Sequence, residues 1–522
     1  LIRARSAWLV VVCAGAMSAA CSAILGLDAP PGPDDASTQS DAIAPSEASP
    51  GDDGGVPEAQ ATCAPLDATS DATGDAAGDA TFNPLALAPI DDAGTPAWDF
   101  FDTAAFTANT ANAFSGGAFD GRYVYFAGRG QWVTRYDTTA GQAGFEDASA
   151  EGIDGGPAWA GVRVSSLGVP GTIPGGFFGA VFDGRYVYFV PFGTGAGNGS
   201  VAARYDSQGP LGAASSWASL DLSTLPNDGG AVASGFTGGA FDGRYVYFFP
   251  RNDGVPDGRV LRYDTLASDA GSGGDAGDAG DAGGATSQFA EPSQWSSFDV
   301  STINAGAVGF GGGVFDGKSI ELVPSVNDIY DAAVHNGGSG IAVRLSSGAA
   351  FEDAAAWSTF DTTRVNGIAD EFFGAAFDGQ YLYFAPRANG VAVRFDTKAA
   401  GGFGAVASWS SFNVTPVVAR EGGGAPSFLG AAFDGRFVYY APITPGFGVV
   451  ARYDTLSPFG AACAWSTVDL TQAPNGDGGY SNFAGAIFDG TYVYFVPSSG
   501  GVVARFHARA PEATEPFQGS FL

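Results

Sequence analysis

Few residue types in this chain can carry catalytic chemistry. His335 and His507 are the only imidazoles among 522 residues. Neither belongs to H-E-x-x-H or another metal-ligand spacing, which would need two such groups on one helix face. No G-x-S-x-G stands on a strand-to-helix turn, so the exposed serine of a hydrolase elbow is missing. Carboxylates are plentiful, and Asp120, Asp183, Asp242, Asp316, Asp378, Asp434 and Asp489 each lie within a Phe-Asp-Gly. A single ligand site rarely needs seven equivalent copies. Each aspartate is therefore expected to cap its own turn or to pair with a repeated arginine such as Arg135, Arg204, Arg262 or Arg452. No catalytic residue, cofactor or metal site is expected, and function should lie where the repeat is broken. Arg129, Trp132, Arg251, Asn252, Asp253, Asn327, Asp328, His335 and Arg387 are such positions. Their aromatic, guanidinium and amide groups could together hold a sugar or an acidic chain.

The elements that must position these side chains follow from the repeat. Phe-Asp-Gly begins at Phe119, Phe182, Phe241, Phe315, Phe377, Phe433 and Phe488. A small-residue lead such as Phe114 to Ala118 precedes it, and an apolar run such as Tyr123 to Phe126 follows. Asp-Gly between two apolar runs predicts a tight hairpin, because glycine adopts positive φ without penalty. The Tyr-Val-Tyr-Phe run is apolar on both faces, which predicts a strand covered on both sides. Val133 to Asp137, with its Arg-Tyr-Asp, and the Trp-led runs such as Trp295 to Asp299 supply a third and a fourth strand. With no amphipathic helix pattern between them, the units predict an all-β fold, a seven-bladed β-propeller of four-stranded blades.

The register of the tryptophans predicts how the ring closes. Trp98, Trp159, Trp217, Trp295, Trp357, Trp409 and Trp465 mark the fourth strands. The first of them precedes any Phe-Asp-Gly, and the last copy, from Phe488 to Phe506, lacks one. Trp98 to Asp102 should therefore complete the last blade and remove the open edges of the stack. The tryptophans should pack between blades.

The order of small-residue lead, hairpin, aromatic strand, Tyr-Asp and Trp resembles the kelch repeat. That resemblance implies kelch-like blade geometry across residues 95–510. At the end of the second strand, where kelch repeats carry a diglycine, this chain has Val190-Pro191, Phe249-Pro250, Ala385-Pro386, Ala441-Pro442 and Val496-Pro497. The copper chemistry of kelch-like oxidases would need two nearby histidines, which His335 and His507 do not provide. Sialidase-type Asp boxes are also absent. In a propeller, the loops joining the second strand to the third and the fourth to the next blade share one face with the central opening. The nine candidate residues are expected there.

Charge and composition give the address. With 55 Asp plus Glu against 23 Lys plus Arg, the net charge of −32 excludes a nucleic-acid partner, which needs a basic surface to release counterions. Arg3 and Arg5 precede the apolar stretch from Ala7 to Ala20. As a helix that stretch covers about 21 Å, short of the roughly 30 Å hydrocarbon core, so residues 1–20 read as a signal peptide. Ser18-Ala19-Ala20-Cys21 resembles the lipobox of bacterial lipoproteins. The resemblance implies lipidation of Cys21, and Ser22 after it implies the outer membrane. From Asp28 to Gly94 there are fourteen acidic residues and no Lys or Arg. Residues 21–94 thus read as a disordered acidic linker, and 511–522 as a C-terminal tail. Ser268 to Ala285 is a similar low-complexity insertion. Cys63 and Cys463 remain as a possible disulfide in an oxidising compartment.

These readings predict a monomeric lipoprotein of the cell envelope, held to the membrane by its N-terminal lipid alone. Its loop face would bind a glycan, an envelope polymer or a protein, or serve as a scaffold. Two alternatives are a propeller-type glycoside hydrolase or lyase using loop carboxylates about 5 to 10 Å apart, and a structural surface protein without a specific ligand.

Overall fold

The computed structural model describes residues 82–90, 94–105, 113–130, 132–147, 149–169, 176–192, 199–225, 234–252, 256–266, 288–325, 339–418, 425–443, 448–473 and 482–509. They form seven antiparallel sheets of four strands each. The strands of each sheet are called a to d. Blades 1 to 7 take their a strands from Phe114–Phe119, Gly176–Phe182, Phe236–Phe241, Phe310–Phe315, Phe372–Phe377, Phe428–Phe433 and Phe483–Phe488. Each a strand packs against the next, and the seventh against the first, so the a strands enclose a central axis. The fold is the expected β-propeller.

Closure uses the predicted overlap. Trp98–Asp102 pairs with Val502–His507, placing Trp98 opposite Phe506 and Asp102 opposite Val502. The Trp98 ring lies 5.0 Å from Phe506 and 5.5 Å from Phe495. Beside them Asp99 and Arg505 form a buried ion pair of 2.8 Å. Strand d of blade 7 is therefore tied by backbone, rings and charge to the other end of the chain.

The small-residue lead has a geometric cause. In every blade the a–b pairing slips near the third or fourth residue of strand a. At that bulge Gly374 has φ 71° and Gly430 has φ 79°. A Cβ on Gly374 would stand 2.7 Å from the Gly430 Cα, and one on Gly430 would stand 2.9 Å from the Gly485 Cα. Left-handed backbone and close approach at the axis thus both demand glycine.

The tryptophans join blade to blade as expected. Trp159 stacks on Phe101 of blade 7 at 4.2 Å, Trp409 on Phe360 of blade 4 at 4.5 Å, and Trp465 on Phe412 of blade 5 at 5.2 Å. Each indole N–H is also satisfied in the c–d connection of its own blade. Trp217 donates to Leu211 O and Trp357 to Phe351 O, both at 2.8 Å. Blade 7 has no such connection within the chain order, and Trp98 donates to Ala86 O at 3.0 Å instead. Around it, Leu85 is buried, the Asn83 side chain donates to His507 O at 2.7 Å, and Phe82 meets Phe437 edge-on. Residues 82–90, expected in the linker, therefore pack on blades 6 and 7 and stand in for the missing loop.

Candidate functional site

The repeated residues are consumed by the blades. Asp183 Oδ1 accepts the backbone N–H groups of Arg185 at 2.8 Å and Tyr186 at 2.6 Å, and its Oδ2 accepts the Tyr188 hydroxyl at 2.7 Å. The same three bonds hold Asp120, Asp242, Asp378, Asp434 and Asp489. Burial pushes the carboxyls of Asp434 and Asp489 up, against the pull of these donors. The expected capping role is seen, while the expected pairing with a strand-c arginine occurs in blade 4, between Arg344 and Asp316 at 3.2 Å. In blades 1, 2, 5 and 7 that arginine bonds across to a strand-c tyrosine of the next blade, as Arg135 does to the Tyr205 hydroxyl at 3.0 Å and Arg505 to Tyr136 at 3.2 Å. In blades 3 and 6, Arg262 and Arg452 bond to Ser296 and Ser466 of their own strand d at 3.2 Å. It also lies over an aromatic of its own strand b, as Arg135 does over Tyr123 at 4.0 Å. With the tyrosine hydroxyl on the aspartate, the arginine pairs elsewhere, and it stitches blades together where the next strand c offers a tyrosine.

The exceptions gather at one end of the axis. The residue that leaves strand b is Arg129, Phe192, Arg251, Ser325, Arg387, Ile443 and Ser498 in blades 1 to 7. Its N–H is fixed to the residue entering strand a of the same blade, as in Arg129 to Ala113 O and Arg387 to Glu371 O. Three of the predicted candidates, Arg129, Arg251 and Arg387, thus occupy one structural position in alternate blades.

Beneath them the axis is closed. Phe178 of blade 2 and Phe373 of blade 5 come from opposite sides and meet at 5.4 Å. Leu429 joins them, and the partly buried Phe192 and Ile443 pack around this plug. Arg129 lies over Phe178 at 5.8 Å and Arg251 over Phe373 at 5.1 Å. Arg129 is further held by Ser115 Oγ at 2.5 Å and Ser498 Oγ at 3.3 Å. Arg129 is exposed, Arg387 half-buried and Arg251 buried. Burial lowers the Arg387 pKa from its ordinary value, and Glu371 acts in the opposite sense.

Glu371 is the sharpest local oddity at this mouth. It is buried and has φ 56°, where blades 3 and 4 have Gly235 at 68° and Gly309 at 71°. A glutamate held in that conformation costs on the order of 1 kcal/mol, and such strain tends to sit at functional positions. Neighbouring Asp370 accepts from the Asn389 amide at 2.8 Å.

The remaining candidates divide. Asn252 follows Arg251 and bridges to Pro256. Trp132 stands on strand c opposite Arg163, two strands out from the axis. Asp253, Asn327, Asp328, His335, Cys21 and Cys63 lie outside the described residues. Cys463 is disulfide-bonded. Sequence reasoning missed Glu371, Ser115 and the apolar plug. Lining up the copies on the Pro that ends strand b would have exposed Phe192 and Ile443 beside the arginines, because the next residue changes chemistry from blade to blade.

The opposite face offers less. His507 is buried there, stacked on Tyr492 at 4.7 Å. A cavity of about 260 Å³ includes Asp264 and Glu352 in its lining, but Asp264 is tied to Arg244 at 2.7 Å. Among the described residues, no group of three or more His, Cys, Asp or Glu could hold a metal ion. Among them also, no helix is long and apolar enough to cross a membrane.

No family model matches the chain, and no curated protein matches it. Solved structures similar to it include YCF48 bound to D1 peptide, at 12% identity and TM-score 0.46, covering 82% of this chain and 100% of that one. A chain in the mitotic checkpoint complex is similar at 8% identity and TM-score 0.43, covering 79% and 94%. The Cps50 (Swd1) β-propeller domain of Myceliophteria thermophila is similar at 9% identity and TM-score 0.42, covering 77% and 97%.

Proposed function

We propose that this chain is an envelope-anchored recognition module, a kelch-like propeller that binds its partner at the arginine-bearing mouth of the axis. One observation carries the reading. At the position leaving strand b, where the blades are otherwise built alike, three arginines alternate with Phe192, Ser325, Ile443 and Ser498 over a plugged axis. The blades do not need this variety for their own pairing, which is the same whichever residue stands there. Cations beside partly buried apolar groups at the end of the axis are the kind of lining a binding site uses. The test is saturable binding of the mature chain to envelope fractions and a glycan panel, repeated with Arg129→Met and Arg387→Met. Binding lost in both variants supports the reading. Binding unchanged in both, or no saturable binding, overturns it.

The anchor belongs to the same proposal. Lipid on Cys21, followed by an acidic linker whose like charges repel, would hold the propeller clear of the membrane. Radiolabelled palmitate should enter the wild-type chain and be lost in Cys21→Ala. Equal labelling of the two would remove the anchor from the proposal and leave the binding mouth untouched.

A further inference from the structure

We infer that the mouth takes an acidic segment of another polypeptide, one that presents carboxylates beside an apolar side chain. The inference rests on the binding mouth proposed above and names its ligand class. The rest of the chain is strongly acidic, at −32 overall, so most of its surface repels such a segment. The mouth differs. Arg129 is exposed and Arg387 half-buried there, and Arg251 adds a buried positive charge over Phe373. Guanidinium groups bind carboxylates through paired N–H donors, a geometry lysine cannot offer. Among the described residues here, Asp370 already accepts from the Asn389 amide at 2.8 Å.

The apolar half of the ligand is set by the plug. Phe178 and Phe373 close the axis, so nothing threads through, and a ligand must lie across the mouth. Phe192 and Ile443, partly buried at the exits of blades 2 and 6, then meet it between the arginines of blades 1, 3 and 5. A purely anionic polymer would leave those two side chains facing its charges. An acidic peptide with an aromatic or aliphatic residue satisfies both kinds of group.

The test uses calorimetry on the full mature chain with two synthetic peptides, Gly-Asp-Phe-Glu-Gly and its neutral twin Gly-Asn-Phe-Gln-Gly, both blocked at their ends, and with polygalacturonate. The acidic peptide should bind saturably, and its twin about tenfold or more weaker. Arg129→Met and Arg387→Met should each weaken the acidic peptide by about tenfold, and Ile443→Ser should weaken both peptides. Arg185→Met, on the opposite face, should change nothing. Equal binding of the two peptides, or a loss in Arg185→Met as large as in Arg387→Met, overturns the inference. If polygalacturonate binds and is lost in Arg387→Met while the peptide fails, the ligand class falls and the binding mouth stands. If no probe binds and envelope binding survives Arg387→Met, both fall.

Discussion

Blades 2 and 4 close the same hairpin with different chemistry. In blade 2 the Tyr188 hydroxyl donates to Asp183 Oδ2 at 2.7 Å. Arg204 is then free to reach the Tyr263 hydroxyl of blade 3 at 3.3 Å. In blade 4, Glu321 stands in the register position of Tyr188, and Arg344 turns inward. Its Nη2 lies 3.2 Å from Asp316 Oδ2 and its Nε 3.2 Å from Glu321 Oε1. The next blade offers no hydroxyl to compete for it, since Phe395 stands where Tyr263 does. A buried carboxylate must be satisfied by whatever donor is in reach. With Glu321 in place of the hairpin tyrosine and Phe395 in place of the next blade's tyrosine, Arg344 pairs with the carboxyls of its own blade.

The largest test of that contrast removes each arginine. Arg344→Met strands two carboxyl groups, of which Glu321 is fully buried, and should cost about 3 to 5 kcal/mol. Arg204→Met strands no buried carboxyl, losing a bond to a neutral hydroxyl and the place over Tyr186 at 4.1 Å, and should cost about 1 to 2 kcal/mol. Urea midpoints of the two variants give the ranking. Equal losses would mean that Arg344 does no more in blade 4 than its counterparts do elsewhere.

A pH titration sharpens the same contrast. Two carboxyls share one guanidinium in blade 4, which favours keeping a proton on Glu321. Burial and then Asp316 push the Glu321 carboxyl well above the usual range, with Arg344 opposing. The folded chain thus keeps a proton that the unfolded chain releases near pH 4.3, the usual glutamate value of about that size. Its contribution to stability is fully present below that pH and declines as pH rises toward the folded value. Glu321→Gln cannot ionise, so the variant should gain on wild type as pH rises from about 4 to 8. Asp434 and Asp489, also raised by burial, slope the same way and should leave a residual decline in the variant. A gap between wild type and Glu321→Gln that does not change with pH would show Glu321 ionised in the fold.

Much of the ring was legible because its signals are local and repeated. Asp-Gly at each hairpin and Trp at each strand d declare themselves in sequence, and the early position of Trp98 declares the closure. The mouth was half legible. Arg129, Arg251 and Arg387 were found as breaks in the repeat, but their common position depends on where strand b ends, which a change of residue conceals. Glu371 was missed because its oddity is a backbone angle, not a residue type. The plug was missed because Phe178 and Phe373 look like ordinary strand-a aromatics until the ring brings blades 2 and 5 face to face. The inward turn of Arg344 depends on two changes in two blades, Glu321 and Phe395, together with the retained Asp316, and no single one of them signals it.

The smallest effect asks whether a regular blade can imitate blade 4. Tyr188→Phe deletes the donor to Asp183 Oδ2 and leaves a carboxylate oxygen short of one bond, worth about 1 kcal/mol. If Arg204 can swing as Arg344 has done, it will fill the gap and abandon Tyr263, and the measured loss will fall below that figure. The swing has a signature that a simple deletion lacks. In a double-mutant cycle, Arg204→Met should cost more in the Tyr188→Phe background than in wild type, because the arginine then neutralises a carboxylate and no longer meets a hydroxyl. In blade 5 the parallel change Tyr383→Phe competes against Arg394, held by the Tyr453 hydroxyl at 3.3 Å and Ser410 Oγ at 3.0 Å. If those two bonds keep Arg394 in place, the blade 5 cycle will show little coupling, and a large coupling will show that it swings. Equal, near-zero coupling in both blades would mean that the arginine of a regular blade is fixed by its ring stack, and that blade 4 needed Phe395 as well as Glu321 to turn it.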